Sequence, residues 1–409
     1  SFVVAALVCS LAALCYSEFS STIPLAGSAY TYIYAVFGEF IAWILGWALV
    51  SEYLFSVSAV AASWSSYFQN ILAGFHWYLP EAFRAAYGTA GMPRALFDLP
   101  AFIIIMLLSF LLIGGVRESA RINAIMVILK IIVIILFIVV GVFYVRPENY
   151  HPFLPFGVKG IVSGAAVAFY AYIGFDAVST AAEEVKNPQK NVPLGIIGSL
   201  LIATILYIAL SLVLVGMVKY TNLNVADPVA YALHFIHQNW VSGIVSLGAV
   251  IGMTTVLMVF LYGGTRLVFA ISRDGLLPRV FSRLSTKTHV PVTNTWLFGI
   301  LGSFFACVIP IDKITELVNI GTLFAFAMVS IGIVFLRRNP EFKELDSAFR
   351  VPFYPVLPIL SFILCVILML ELKSFTWIAF FIWLIIGLIF YFGYGYRHSV
   401  VRNRHNNEK

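Results

Sequence analysis

The 409-residue chain is 61% hydrophobic and 11% charged, with a formal net charge of +6 and a mean hydropathy of +0.96. These values exclude a water-facing surface of ordinary polarity. The positive residues lie in short loops between apolar runs, so we expect no nucleic-acid partner. Closed β-barrels would show alternating hydrophobicity, whereas residues 122–145 are apolar on every side, which indicates helices in lipid.

Apolar runs between polar segments predict eleven transmembrane spans, because each helix needs about 20 mainly apolar residues to cross a bilayer. The predicted spans are 1–17, 36–70, 99–114, 121–145, 159–182, 193–217, 241–271, 294–309, 314–336, 356–371 and 376–396. The second and seventh are long for one crossing, so tilt or extension beyond the lipid is expected. Two polar segments, 73–98 and 218–240, are expected outside and are long enough to cover the outer opening of a transport path.

The distribution of Lys and Arg predicts the orientation, because cytoplasmic loops carry the excess. Loops on the side of the C-terminal tail contain more than twice as many of these residues as the opposite loops. The tail is therefore expected in the cytoplasm. Ser1 begins directly inside an apolar run, and we expect one further helix before it, which would make twelve spans. The alternative is an odd-numbered protein with a short external start.

The span at 159–182 carries the most informative pattern, because a glycine and an acid, Gly174 and Asp176, interrupt it near mid-membrane. An interrupted helix exposes peptide groups that can hold the carboxylate and ammonium of an amino acid. The alternative is that Gly164 and Gly174 only let helices approach closely. Asp176 is a candidate cap for a lower half-helix after the break.

Lys130 is the only charged residue between Arg121 and Arg146. Its depth in the predicted helix makes a charged ammonium costly, unless the side chain pairs, loses its proton or reaches the interface. Lys130 is thus a candidate for proton coupling, with extension of the side chain to the cytoplasmic surface as the alternative.

Glu52 is the only acid between Glu39 and Glu81. It lies too deep for so short a side chain to reach the interface. It could balance Lys130, attract a cationic substrate or take up a proton, or it could be a protonated structural residue.

The sequence gives little support for an enzyme or for a metal-binding protein. The sequence lacks the motifs of zinc proteases, serine hydrolases and nucleotide-binding loops. His234 and His237 have no third ligand nearby, and the four cysteines lie in apolar segments without metal-ligand spacing. We expect no enzyme, no cofactor and no metal.

Three motifs carry a family resemblance. They are CYSEFSSTIPLAGSAYTYIYAVFGEFIAWILGW at 15–47, FYAYIGFDAVSTAAEEVKNPQK at 169–190 and SRDGLLPRVFSRLSTKTHVPVTNT at 272–295. With them, the chain resembles a bacterial homologue of the cationic amino acid transporter family, within the amino acid, polyamine and organocation superfamily. The resemblance runs over essentially the whole chain.

The resemblance implies an all-α polytopic membrane protein with the leucine-transporter-like fold, which has two inverted repeats of five helices plus two C-terminal helices. Residues 1–146 would then be helices two to five, 147–338 the second repeat, and 339–409 the two additional helices with a cytoplasmic tail. The first helix of the family, which carries a glycine-rich segment for the substrate carboxylate, would be absent, so these residues alone are not expected to transport.

The resemblance also implies roles for individual residues. Lys130 matches a lysine that occupies the place of a sodium ion in sodium-coupled relatives, and Glu52 lies where the family carries an acid in its third helix. The expected substrate site contains residues of the sixth and eighth helices, with Phe169 or Tyr170 as a gate: Phe169, Tyr170, Ala171, Tyr172, Ile173, Gly174, Thr255 and Met258.

The expected function is proton-coupled symport of L-amino acids across the bacterial cytoplasmic membrane, by alternating access. Its expected partners are the amino acid, a proton and membrane lipid, and the expected state is a monomer. Amino acid exchange and a non-transporting amino acid receptor on the same fold are the alternatives. A channel is a weaker option, because the spans contain no ring of like charge.

Overall fold

The computed structural model describes residues 1–23, 28–89, 91–115, 120–176, 178, 185–225, 227–343 and 349–400. Over these ranges the chain forms helices and connecting segments, and no β-strand. The helices are α1 (Phe2–Thr22), α2 (Ser28–Phe37), α3 (Glu39–Gly74), α4 (Leu99–Ile113), α5 (Ala120–Val142), α6 (Gly157–Ala168), α7 (Pro188–Met217), α8 (Pro228–Phe235), α9 (Asn239–Arg273), α10 (Val292–Val308), α11 (Ile311–Leu336), α12 (Pro340–Lys343), α13 (Val356–Leu370), α14 (Ser374–Phe390) and α15 (Tyr396–His398).

The helices account for the eleven predicted spans. In the described part of the chain, seven helices are long and apolar enough to cross a membrane, and α4, α10 and α13 are shorter apolar helices. The remaining predicted span corresponds to α6 and the segment after it. The prediction of an all-α polytopic membrane protein is therefore confirmed.

The short helices that were not predicted from the sequence include α2 and α8. The predicted second span begins at residue 36, but Gly38 has φ +80° and separates α2 from α3. A left-handed residue cannot continue an α-helix, which is why the apolar run divides there. The second short helix, α8, lies inside the polar segment 218–240.

The interior of the bundle is built around α3 and α11. In each of these helices 83% of the most apolar stretch is buried, compared with 11% in α5 and 22% in α7. The α3 helix packs against both α9 and α11, and α1 packs against α7, α11 and α13. The apolar outer surfaces of α5 and α7 are thus suited to contact with lipid, whereas α3 and α11 position polar groups in the interior.

An ion pair joins α1 to the end of α11. Arg337 donates to Glu18 through Nε and Nη2, with both N–O distances at 2.6 Å. Glu18 also accepts the backbone N–H of Val351 at 2.6 Å. The side chain of Glu18 is 3% exposed and that of Arg337 23%, so most of this interaction is shielded from solvent.

Replacing Arg337 with methionine is expected to lower the free energy of unfolding by about 3–5 kcal/mol, because it leaves the Glu18 carboxylate buried without its cation. Thermal unfolding of the purified protein in detergent measures the change. The control is Lys219→Met, which removes an exposed lysine from the loop after α7. We expect that change to cost about 0.5 kcal/mol or less. Equal losses of unfolding free energy in the two variants would contradict a stabilising role for the Arg337–Glu18 ion pair.

Candidate functional site

The span that contains the predicted site is interrupted. The α6 helix ends at Ala168, and a single 3-10 turn follows at Phe169–Tyr172. Ile173 then has an extended conformation, with ψ 137°, and Gly174 has φ +119°. Only glycine adopts such a φ without strain. The backbone is therefore not a continuous helix here, as Gly174 and Asp176 predict.

Side-chain and backbone contacts hold the interrupted segment in place. The backbone N–H of Gly174 donates to Oδ1 of Asp176 at 3.2 Å. The hydroxyl of Tyr207, on α7, donates to the carbonyl of Ala171 at 2.7 Å. The predicted lower half-helix after Asp176 falls mostly outside the described residues. The break is thus a fixed arrangement whose peptide groups have specific partners.

Aromatic rings surround the 3-10 turn. Phe169 is fully buried, and its ring lies 5.5 Å from that of Phe326 on α11. The ring of Tyr172 lies 5.1 Å from that of Tyr207, and its hydroxyl donates to the carbonyl of Phe2 at 3.1 Å. Tyr170, Ala171 and Ile173 are partly buried. The surroundings of the turn are therefore mainly apolar where it packs against α1, α7 and α11.

Two acids lie in the interior beside the break. Glu52 is 1% exposed and Asp176 2%, and they are close enough to interact electrostatically, as are the nearby Tyr16 and Tyr53. Glu52 lies against α11 at Gly321, where an added Cβ would be 3.5 Å from the Cβ of Glu52. Within the described residues, Oε2 of Glu52 and the hydroxyl of Tyr16 have no hydrogen-bond partner. A proton or a cationic group would stabilise such a site.

Lys130 crosses from α5 to α9. Its Nζ donates to Oγ1 of Thr255 at 2.6 Å, and its aliphatic chain lies on Gly252, where an added Cβ would be 3.0 Å from Cγ. Met258 follows Thr255 by three residues and is therefore on a neighbouring position of the same face. Lys130 is thus held by the hydroxyl of Thr255 on α9. Gly252 has no side chain that would occupy the space of the Lys130 side chain.

The structure places the predicted residues in three groups. Residues 169–174 contact α1, α7 and α11, Glu52 lies near Asp176, and Lys130 binds Thr255. Sequence analysis missed Tyr16, Tyr53 and Tyr207. Each is a tyrosine in an apolar helix, a common residue there, so no local signal distinguishes it.

The histidine pair does not form a metal site in the described structure. His234 lies at the end of α8. Its Nδ1 is 2.8 Å from Oδ1 of Asn239, and its Nε2 is 3.1 Å from Oδ1 of Asn70. Burial raises the pKa of Asp227, which precedes α8, to about 6. Among the residues that the structure covers, no three His, Cys, Asp or Glu side chains form a metal-binding group. The His234 contacts instead fasten α8 to α3 and α9.

Comparison with known proteins identifies the family. The family model described as amino acid permease matches residues 1–391. A methylthioribose transporter of Bacillus subtilis is 50% identical over 98% of this chain and 86% of its own length. A branched-chain amino acid permease of the same species is 48% identical, over 98% and 86%. Human cationic amino acid transporter 4 is 29% identical, over 99% and 82%. The chain belongs to the amino acid permease family, whose members are multi-pass membrane proteins.

Proposed function

We propose that this protein carries L-amino acids across the bacterial cytoplasmic membrane by proton-coupled symport. The observation that carries the proposal is the break at residues 169–174, which lies in the interior next to Glu52 and Asp176. Membership of the amino acid permease family supports it. An interrupted helix with buried carboxyl groups beside it combines peptide dipoles and negative charge, which suits a zwitterionic substrate.

The substrate would bind along the 3-10 turn. Carbonyl groups of Ala171, Tyr172 and Ile173 would accept hydrogen bonds from the substrate ammonium. The carbonyl of Ala171 already accepts from the hydroxyl of Tyr207 and has a second lone pair for the ammonium. Phe169 or Tyr170 would act as the gate. The aromatic walls around the turn exclude water, which strengthens each of these polar contacts.

The coupled proton would be carried by Lys130. In its charged form the ammonium donates to Thr255 and joins α5 to α9. In its neutral form the amine keeps only an uncharged hydrogen bond, which is roughly half as strong, so the relative stability of the two transport states changes with protonation. Thr255 and Met258 would then transmit the change along α9 to the substrate site.

The repeated order of helices supports the proposed inverted repeat. In α1–α2–α3 and again in α7–α8–α9, a long helix is followed by a short one and then by a helix of 36 or 35 residues. The proposed division at residues 146 and 338 is consistent with this repeat. The Lys and Arg distribution supports a cytoplasmic C-terminus, and a monomer is the proposed functional unit.

Uptake into proteoliposomes of the complete protein tests the proposal and separates it from exchange and from a receptor. Symport predicts that an inward proton gradient accelerates uptake of a labelled L-amino acid into vesicles without internal amino acid. Dependence of uptake on internal amino acid would show exchange instead. Binding without any uptake would show a receptor.

The substrate range needs its own measurement, because the relatives differ in what their names say they carry. We suggest competition of each of the twenty amino acids, and of methylthioribose, against one labelled substrate. Competition by L-amino acids is the expected outcome. Competition by methylthioribose alone would overturn the proposed substrate class.

Replacing Glu52 with glutamine is expected to weaken binding of arginine and lysine more than binding of alanine, if the carboxylate attracts a positive side chain. Removal of one close charge pair changes affinity by about tenfold or more. The control is Glu81→Gln, in the external segment 73–98, which should change none of the three affinities. An equal loss for all three substrates in Glu52→Gln would assign Glu52 a proton-carrying or structural role.

A further inference from the structure

The end of α6 that precedes the break is held by a side chain from α11. The amide nitrogen of Asn319 donates to the carbonyl of Ala166 at 2.8 Å and lies 3.4 Å from that of Val167. Because α6 ends at Ala168, the carbonyl of Ala166 is one of its last four, which lack partners within a helix. The carbonyl of Val167 also accepts the backbone N–H of Phe169. Asn319 thus supplies the donor that a continuous helix would have provided for Ala166.

The orientation of the amide follows from this geometry. Only the NH₂ group of asparagine can face two carbonyl oxygens, since the amide oxygen is an acceptor. Asn319 is fully buried, so water does not compete readily for its hydrogen bonds. The contact is therefore a fixed polar link across 153 residues of sequence.

The same face of α11 contacts the rest of the site. Asn319, Thr322 and Phe326 follow one another by three and four residues and share one side of the helix. Phe326 packs on Phe169 with ring centroids 5.5 Å apart, and Thr322 lies within hydrogen-bonding reach of Glu52. One helix face therefore contacts the carbonyl end of α6, the 3-10 turn and the buried acid.

We propose that Asn319 is a positioning residue for the substrate site, holding the carbonyl end of α6 against α11 so that residues 169–174 keep the geometry that binds substrate. This inference rests on the proposed amino acid function and adds a residue to that site. Loss of the amide would leave the buried carbonyl of Ala166 without this donor and let the turn move.

The test compares Asn319→Leu with a matched control, Asn294→Leu. Asn294, on α10, is also fully buried and donates to two carbonyls, those of Thr265 at 3.0 Å and Phe281 at 2.9 Å. Within the described residues the amide oxygen of either asparagine has no hydrogen-bond partner. The two changes therefore remove the same interactions at different places in the fold.

Two measurements are made on both variants: the Kd for a labelled L-amino acid, and hydrogen exchange of the amides in residues 163–176. Asn319→Leu is expected to raise Kd about tenfold and to speed exchange in this segment, whereas Asn294→Leu should change neither. An unchanged Kd and exchange in Asn319→Leu, or equal changes in both variants, would overturn the proposal.

A third variant, Asn319→Ser, keeps one hydroxyl donor and serves if Asn319→Leu does not fold. It should give a Kd and an exchange rate between those of the wild type and a protein without the donor, and wild-type values in Asn319→Ser would overturn the proposal. The exchange measurement needs no ligand. If the wild-type protein bound no amino acid, the proposed function would fail, while exchange would still decide the role of Asn319.

Discussion

Replacing Lys130 with alanine is expected to abolish the acceleration of uptake by an inward proton gradient, while the protein still folds. The ammonium binds Thr255 at 2.6 Å, and its removal takes away a group on α5 whose bond to α9 is stronger in one protonation state than in the other. Uptake into proteoliposomes at several external pH values measures the effect. We expect the rate in the variant to be low and independent of pH.

Two further variants make this prediction specific to the protonation of Lys130. Lys130→Arg keeps a charge that is not lost at physiological pH, and it should also eliminate the pH dependence. Lys219→Ala removes an exposed lysine from the loop after α7 and should behave as the wild type. Unchanged stimulation by the proton gradient in Lys130→Ala would remove this residue from the mechanism.

Replacing Gly174 with alanine is expected to reduce substrate binding and uptake by about tenfold or more, since the required φ of +119° strains any L side chain by about 1–3 kcal/mol. A Cβ at this position would meet no atom within 4 Å, so the effect comes from the backbone and not from a clash. Equilibrium binding and uptake per reconstituted protein measure it.

The matched control for this change is Gly198→Ala. Gly198 lies within α7, and an added Cβ there also meets nothing within 4 Å. Because the backbone there is helical, alanine should leave uptake unchanged and stabilise the helix by up to about 1 kcal/mol. Wild-type uptake in Gly174→Ala would show that the conformation of the break is not needed.

The spans and the position of the break could be predicted from local sequence. Length and continuous apolarity predict spans because the bilayer imposes both. Gly174 and Asp176 mark the break because each is unfavourable inside a buried helix. The exact end of α6 at Ala168 could not be predicted, since several apolar residues before Gly174 are equally able to continue a helix.

The contacts that hold the site could not be predicted, because they join distant parts of the chain. Asn319 and Ala166 are 153 residues apart, and Lys130 and Thr255 are 125 apart. Neither Asn319 nor Tyr207 belongs to a motif, and each gains its role only from the packing of α11 or α7 against the break. The family resemblance supplied Thr255, but not its hydrogen bond with Lys130.

A structure of the purified protein with a bound L-amino acid tests the central claim most directly. We expect the substrate ammonium at hydrogen-bonding distance, about 2.7–3.2 Å, from carbonyl oxygens of residues 169–174, with the backbone still interrupted at Gly174. An amino acid bound elsewhere in the bundle, or a continuous helix through this segment in the bound state, would contradict it.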